Sequence, residues 1–97
     1  MLLISNKQNK MSKPILYIKS QCPWCKDALR YFKEAGIELQ IKDVLEDAQA
    51  MADMVAVSQQ NLTPTFVFND CVIADFSVEE FVAAINKFPE HKARLNL

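Results

Sequence analysis

Ile15-Leu16-Tyr17-Ile18-Lys19-Ser20-Gln21-Cys22-Pro23-Trp24-Cys25-Lys26 carries two signals in one short stretch. The first four residues are a continuous apolar run, which suits a strand buried on both faces. A C-x-x-C follows at once, and beyond it the pattern turns helical. Cys25, Leu29 and Phe32 fall at i, i+4 and i+7, with Ala28 beside them. Lys26, Arg30 and Lys33 make a separate basic stripe, the ordinary solvated face of such a helix. Gly36, the one glycine of the chain, closes this helix as a C′ residue.

Working outward, Ile37, Leu39 and Ile41 alternate with Glu38, Gln40 and Lys42, which predicts a second strand. Asp47 to about Ser58 reads as a second helix with Ala48, Met51, Ala52 and Val55 as its apolar stripe. Met51 and Met54 are expected in the core. Thr65 to Phe68 and Cys71 to Ala74 read as strands joined by the two-residue turn Asn69-Asp70. Ser77 and Glu80 form a capping box ahead of a third helix. Phe76 at N′ is placed to staple onto Phe81, and Val78, Phe81, Val82 and Ile85 are expected to face the core. Pro89 ends that helix or kinks it. The order β-α-β-α-β-β-α implies a parallel pair with a right-handed crossover and a terminal antiparallel hairpin. An α/β domain with a four-stranded mixed sheet and three helices, covering both faces, is expected over residues 13–88. Residues 1–12 read as a flexible extension, within which Met11 offers an alternative start, and residues 89–97 as a loose tail containing a solvated His91.

Composition narrows the function classes. The chain has 97 residues, 51% of them hydrophobic and 24% charged, so it is globular rather than disordered. Eleven basic residues nearly balance twelve acidic ones, which gives neither nucleic acid nor an anionic membrane a basic surface to bind. A single glycine excludes a P-loop and G-x-G-x-x-G. Met1-Leu2-Leu3-Ile4 is too short for a signal-peptide core, and a cytoplasmic location is expected.

Cys22 stands at the junction of strand and helix. Unpaired N–H groups and the helix dipole favour an anion there. Its pKa is expected to fall from about 8.5 toward roughly 3.5–7.5. Lys19 and Lys26 lie near enough in sequence to add positive potential, and Pro23 suits the first turn. Cys25, one turn on and in the apolar stripe, is expected to be less exposed and protonated. Cys22 would attack a disulfide, and Cys25 would resolve the intermediate. Zinc bound by Cys22, Cys25, Cys71 and His91 is the competing reading, and the second pair lacks zinc-knuckle spacing. Two inert structural cysteines are another. A C-x-x-C beside a βαβ pattern favours redox chemistry. Trp24 is expected to be exposed and to contact substrate, with packing on its own helix the alternative, and Cys71 to be incidental or a site of glutathionylation or pairing between molecules.

Cys22-Pro23-Trp24-Cys25 resembles the C-P-aromatic-C active site of the glutaredoxins, over roughly residues 13–88. Lys19 matches a lysine of that family, and Thr63-Pro64 the cis-proline position of the thioredoxin superfamily. The resemblance implies a thioredoxin-like fold and glutathione-coupled exchange on oxidised or glutathionylated proteins, by a monomer. It implies that glutathione meets the backbone of Thr63 before Pro64, its glycine carboxylate Lys19 and Gln60, and its γ-glutamyl end the turn near Phe76 and Ser77. Two positions depart from the family. Leu62-Thr63-Pro64 replaces Thr-Val-Pro, and Ala74-Asp75 replaces Gly-Gly. Asp75 and Ala74 add bulk and charge where glutathione would approach, so weak coupling to glutathione is expected. A redoxin reduced by a flavin reductase is the alternative electron path. A module holding a bridging [2Fe–2S] cluster is the non-enzymatic one, against which Pro23 and the missing Gly-Gly both weigh.

Overall fold

The apolar run at residues 15–18 is a central strand with a packed cluster on each face, Leu16 in one and Tyr17 in the other, which is why it needs no polar face. A computed structural model describes residues 13–97; the extension expected over 1–12 lies outside the described residues. Strands β1 (Ile15–Ile18), β2 (Gln40–Asp43), β3 (Thr65–Phe68) and β4 (Cys71–Ala74) form one sheet in the order β2-β1-β3-β4. β1 runs parallel to β2 and antiparallel to β3, with Leu16 opposite both Ile41 and Phe66. β3 and β4 form the expected hairpin, Phe68 opposite Cys71. Asn69 in its turn takes φ 56°, a left-handed conformation asparagine tolerates well.

Helices α1 (Pro23–Glu34), α3 (Val78–Ile85) and α4 (Pro89–Arg94) cover one face, and α2 (Ala48–Ser58) covers the other. Phe32 of α1, Phe66 of β3 and Phe81 of α3 are all fully buried. Their ring centroids lie 4.9–5.3 Å apart, one pair stacked and two edge-on. Each such pair adds about 0.5–1.5 kcal/mol beyond its buried area. This cluster fixes α1 against the sheet, and with it the position of Cys22. Gly36, at φ 75°, ends α1: its N–H donates to the Lys33 carbonyl and the next N–H, of Ile37, to the Phe32 carbonyl.

That closing motif shifts β2. The Ile37 N–H is already engaged by α1, so the ladder starts at Gln40 rather than at Ile37. Ile37 and Leu39 instead pack on the core from outside the ladder, and Ile41 on the edge strand is exposed. The inward face of α2 also differs from expectation. Ala50 and Met54 are buried and Met51 half-buried, while Ala48, Ala52 and Val55 face solvent. Helix α3 keeps its capping box and its Phe76–Phe81 contact at 5.3 Å, although Val82 is exposed.

Residues 89–97 are not a loose tail. Pro89 neither ends nor kinks α3, which stops at Ile85, but opens α4, where its missing N–H costs nothing. Leu95 beyond α4 is only 7% exposed and belongs to the main core. His91 is not simply solvated: its Nε2 lies 2.8 Å from Asp70 Oδ1, and its ring meets Phe68 and Phe88 edge-on.

Candidate active site

Cys22 is the N-cap residue of α1. Its backbone is extended, its carbonyl accepts the Lys26 N–H, and its Sγ accepts the Cys25 N–H at 3.2 Å. A sulfur therefore takes the place that a serine or aspartate oxygen holds at an ordinary cap. Pro23 occupies the first helical position. Cys25 is 1% exposed and Cys22 partly exposed; the two sulfurs are joined, with Cα atoms 5.1 Å apart. Trp24 between them is 55% exposed. Gln21 immediately before has φ 65°, an uncommon conformation for this residue type that turns the chain from β1 into the cap. A run of residue types alone offers no signal for it.

One other segment meets Cys22, and a second is tied to it. Thr63-Pro64 is a cis peptide. The Thr63 carbonyl oxygen lies 3.9 Å from Cys22 Sγ, and the Thr63 hydroxyl 3.7 Å from the same atom. Pro64 is buried, and its carbonyl accepts the Asp75 N–H at 2.8 Å. Asp75 reaches that position at φ 54°, in the left-handed region where glycine rests freely and aspartate is tolerated. The turn into α3 is thus tied directly to the proline loop.

The other residues expected to meet glutathione have partners of their own. Lys19 Nζ donates to the Asn61 carbonyl at 2.9 Å, joining the segment ahead of Cys22 to the loop ahead of Pro64. Gln60 turns inward: its amide donates to Ser58 Oγ and Thr65 Oγ1, and its Oε1 accepts the Leu62 N–H. It shapes the loop before Pro64. Phe76 is 3% exposed, so its side chain serves the core. Ser77 is half-buried, with its N–H taken by Glu80.

Asp43, which belongs to no motif of the sequence, anchors the approach to Cys22. Its carboxylate accepts from Ser20 Oγ at 2.8 Å and from the N–H groups of Leu45 and Glu46. The Ser20 hydroxyl, then these amides, hold the carboxyl below its usual range. An aspartate at a strand end that bonds an N–H two residues on makes an Asx-turn, and that is the signal the sequence offers for it. Cys71 is fully buried on β4; burial, and secondarily Asp70, push its thiol up to about 11. It has no part in this site. Among the described residues no group of three acidic, His or Cys side chains is placed to hold a metal ion. None of the described helices is long and apolar enough to cross a membrane.

A redox-capable cysteine pair at a helix N-terminus, facing a cis-proline, is one half of the identification. The glutaredoxin family model matches residues 15–73, more than half of the chain. The chain belongs to the glutaredoxin family. Its fold is thioredoxin-like and matches those of solved glutaredoxins. The thioredoxin-like protein BC3987 is 26% identical with a TM-score of 0.67, over 74% of this chain and 99% of that one. A glutaredoxin from Archaeoglobus fulgidus is 20% identical with a TM-score of 0.66, over 88% of this chain and 94% of that one. A buckwheat glutaredoxin in complex with glutathione is 12% identical with a TM-score of 0.66, over 98% and 86% of the two chains. No curated protein gave a significant match to the sequence.

Proposed function

We propose that the chain reduces disulfides, either within proteins or mixed with glutathione, by thiol–disulfide exchange at Cys22 and Cys25. The observation that carries this is the Cys25 N–H aimed at Cys22 Sγ from 3.2 Å at the first turn of α1. A donor and a helix N-terminus together favour the thiolate there. Cys22 attacks one sulfur of the substrate disulfide, and the other sulfur leaves as a thiolate and takes up a proton. The buried Cys25, as its thiolate, then attacks Cys22 Sγ. The second substrate thiol departs, and the Cys22–Cys25 disulfide holds the two electrons' worth of oxidation. Membership of the family supports this chemistry.

Glutathione is the first candidate to reduce that disulfide again, in line with the buckwheat relative whose structure holds it. A flavin reductase is the second, and two features that count against glutathione favour it. Asp75 stands beside the approach, and the Ser77 N–H is already occupied by Glu80. A cytosolic place in cellular redox homeostasis belongs to the same proposal.

The test is substitution of each cysteine. Cys22→Ser abolishes disulfide reduction. Cys25→Ser accumulates a mixed disulfide on Cys22, visible by mass, and keeps turnover of glutathionylated substrates. The reverse pattern, Cys25→Ser inactive and Cys22→Ser active, overturns the assignment.

A further inference from the structure

We infer that Asp43 is a positioning residue for the attacking sulfur. Through the Ser20 hydroxyl it holds Gln21 in the backbone conformation that seats Cys22 against the Cys25 N–H. The inference rests on the reading of Cys22 as the nucleophile.

The chain between β1 and α1 is fixed at both ends. The Ile18 carbonyl accepts the Val44 N–H at 2.9 Å, and the Cys22 carbonyl accepts the Lys26 N–H at 3.1 Å. Between them the direction has to change, and Gln21 makes the change at φ 65°. A glutamine rests there at a cost, and such a conformation persists only where its surroundings enforce it. The residue before it carries the means. Ser20 Oγ donates to Asp43 Oδ2 at 2.8 Å, across 23 positions of sequence.

Asp43 is a rigid anchor for that bond. It ends β2, opposite Ile18. Its Oδ1 accepts the N–H groups of Leu45 and Glu46, and its main-chain carbonyl accepts those of Glu46 and Asp47. The carboxylate is thus already ordered before Ser20 reaches it, so little further entropy is lost, and the bond is charge-assisted. Ser20 and Gln21 are exposed, so no packing does the same work.

The consequence falls on Cys22. Its thiolate depends on the Cys25 N–H lying 3.2 Å from Sγ. With Ser20 released, Gln21 relaxes toward negative φ and Sγ swings off that donor. Charge alone has the reverse effect. A carboxylate disfavours a neighbouring thiolate, so losing the Asp43 charge would make Cys22 more acidic. Position and charge therefore predict opposite signs.

The experiment uses the full reduced chain. Ser20→Ala breaks the bond and keeps the charge. Asp43→Asn removes the charge and keeps a bond, because its Oδ1 still accepts the Leu45 N–H while its amide donates to Ser20 Oγ. The alkylation rate of Cys22, read by peptide mass against pH, gives the apparent pKa. In Ser20→Ala the pKa rises by about 0.5–1 unit, and alkylation below that pKa slows about three- to tenfold. Adding Gln21→Gly to Ser20→Ala recovers at least about half of the shift, because glycine takes φ 65° freely. Asp43→Asn stays within about twofold of the wild type. A merely structural bond would move the urea midpoint and leave the pKa in place. An unchanged pKa in Ser20→Ala, no recovery on adding Gln21→Gly, or a pKa lowered in Asp43→Asn while Ser20→Ala is silent overturns the inference and leaves the proposed function standing. Exchange that survives Cys22→Ser overturns the functional reading itself.

Discussion

The Ser77 backbone N–H donates to Glu80 Oε1 at 2.9 Å, while Ser77 Oγ accepts the Glu80 N–H at 3.1 Å. This reciprocal pair satisfies two donors at the start of α3 that an incoming carboxylate would otherwise find free. Glu79 adds a second negative charge in the same turn, and Asp75 a third just before it. The α-carboxylate of a γ-glutamyl group meets a filled cap and like charge there.

We predict that glutathione coupling is weak in the wild type and is gained by substitution. Asp75→Gly removes a charge and suits φ 54°, so it leaves stability unchanged or slightly higher. Together with Ala74→Gly it lowers half-saturating glutathione by about fivefold, the effect of one partly exposed like charge. Glu80→Ala frees the Ser77 N–H, lowers half-saturation further, and costs about 0.5–2 kcal/mol of stability through the lost cap. Turnover of a glutathione mixed disulfide against glutathione concentration checks all three. Equal half-saturation in every protein means that glutathione docks without this turn. If none responds while a flavin reductase reduces the wild type, the reductase is the electron donor.

Features governed by neighbours along the chain are legible in the sequence itself. The N-cap at Cys22, the Gly36 terminator, the Ser77–Glu80 box and the Asn69-Asp70 turn all depend on residues within a few positions. The inward face of α2 is not legible. Alanine, valine and methionine run nearly all the way round it, so no angle stands out; contact with Tyr17 and Val44 decides for Ala50 and Met54. Helix α4 is hidden too, because Pro89–Arg94 carries no apolar stripe, and its anchors, Phe88, Leu95 and Leu97, lie outside its ends. Within the site, Cys22, Cys25 and the Thr63-Pro64 pair stand out as motifs. The inward turn of Gln60 depends on Ser58 and Thr65 hydroxyls that only the folded loop brings within reach.

The C-terminal segment contributes to stability. Leu95→Ala leaves a void in the cluster containing Phe68, Phe81 and Ile85 and costs about 2–4 kcal/mol. His91→Ala costs less than about 1 kcal/mol, because the Asp70 side chain it meets is 90% exposed and the pair is screened. Urea midpoints of the two variants separate these effects. A Leu95→Ala midpoint equal to the wild type would show that α4 and the residues after it do not close the core.

Cys71 makes stability fall at alkaline pH. Its thiol ionises near 9.0 in an unfolded chain and at about 11 in the folded one, because burial disfavours the thiolate and Asp70 adds repulsion. The folded pKa is the higher, so the thiol's contribution is whole below pH 9 and is lost as pH rises toward about 11. Tyr17 and Tyr31 are also raised from 10.0, by burial first, and act in the same sense at higher pH. Unfolding free energies from urea titrations at pH 7.5, 9 and 10.5 measure the slope. The measurement is made with Cys22→Ser and Cys25→Ser in place, so that no disulfide can reshuffle once Cys71 ionises. Adding Cys71→Ala lowers stability at every pH by a constant for the vacated space, and it flattens the alkaline slope without abolishing it, since the tyrosines remain. In the same background, a thiol reagent at pH 8 labels Cys71 no faster than the chain opens. Parallel slopes with and without Cys71, or labelling faster than opening, would show that the sulfur meets solvent in the folded protein.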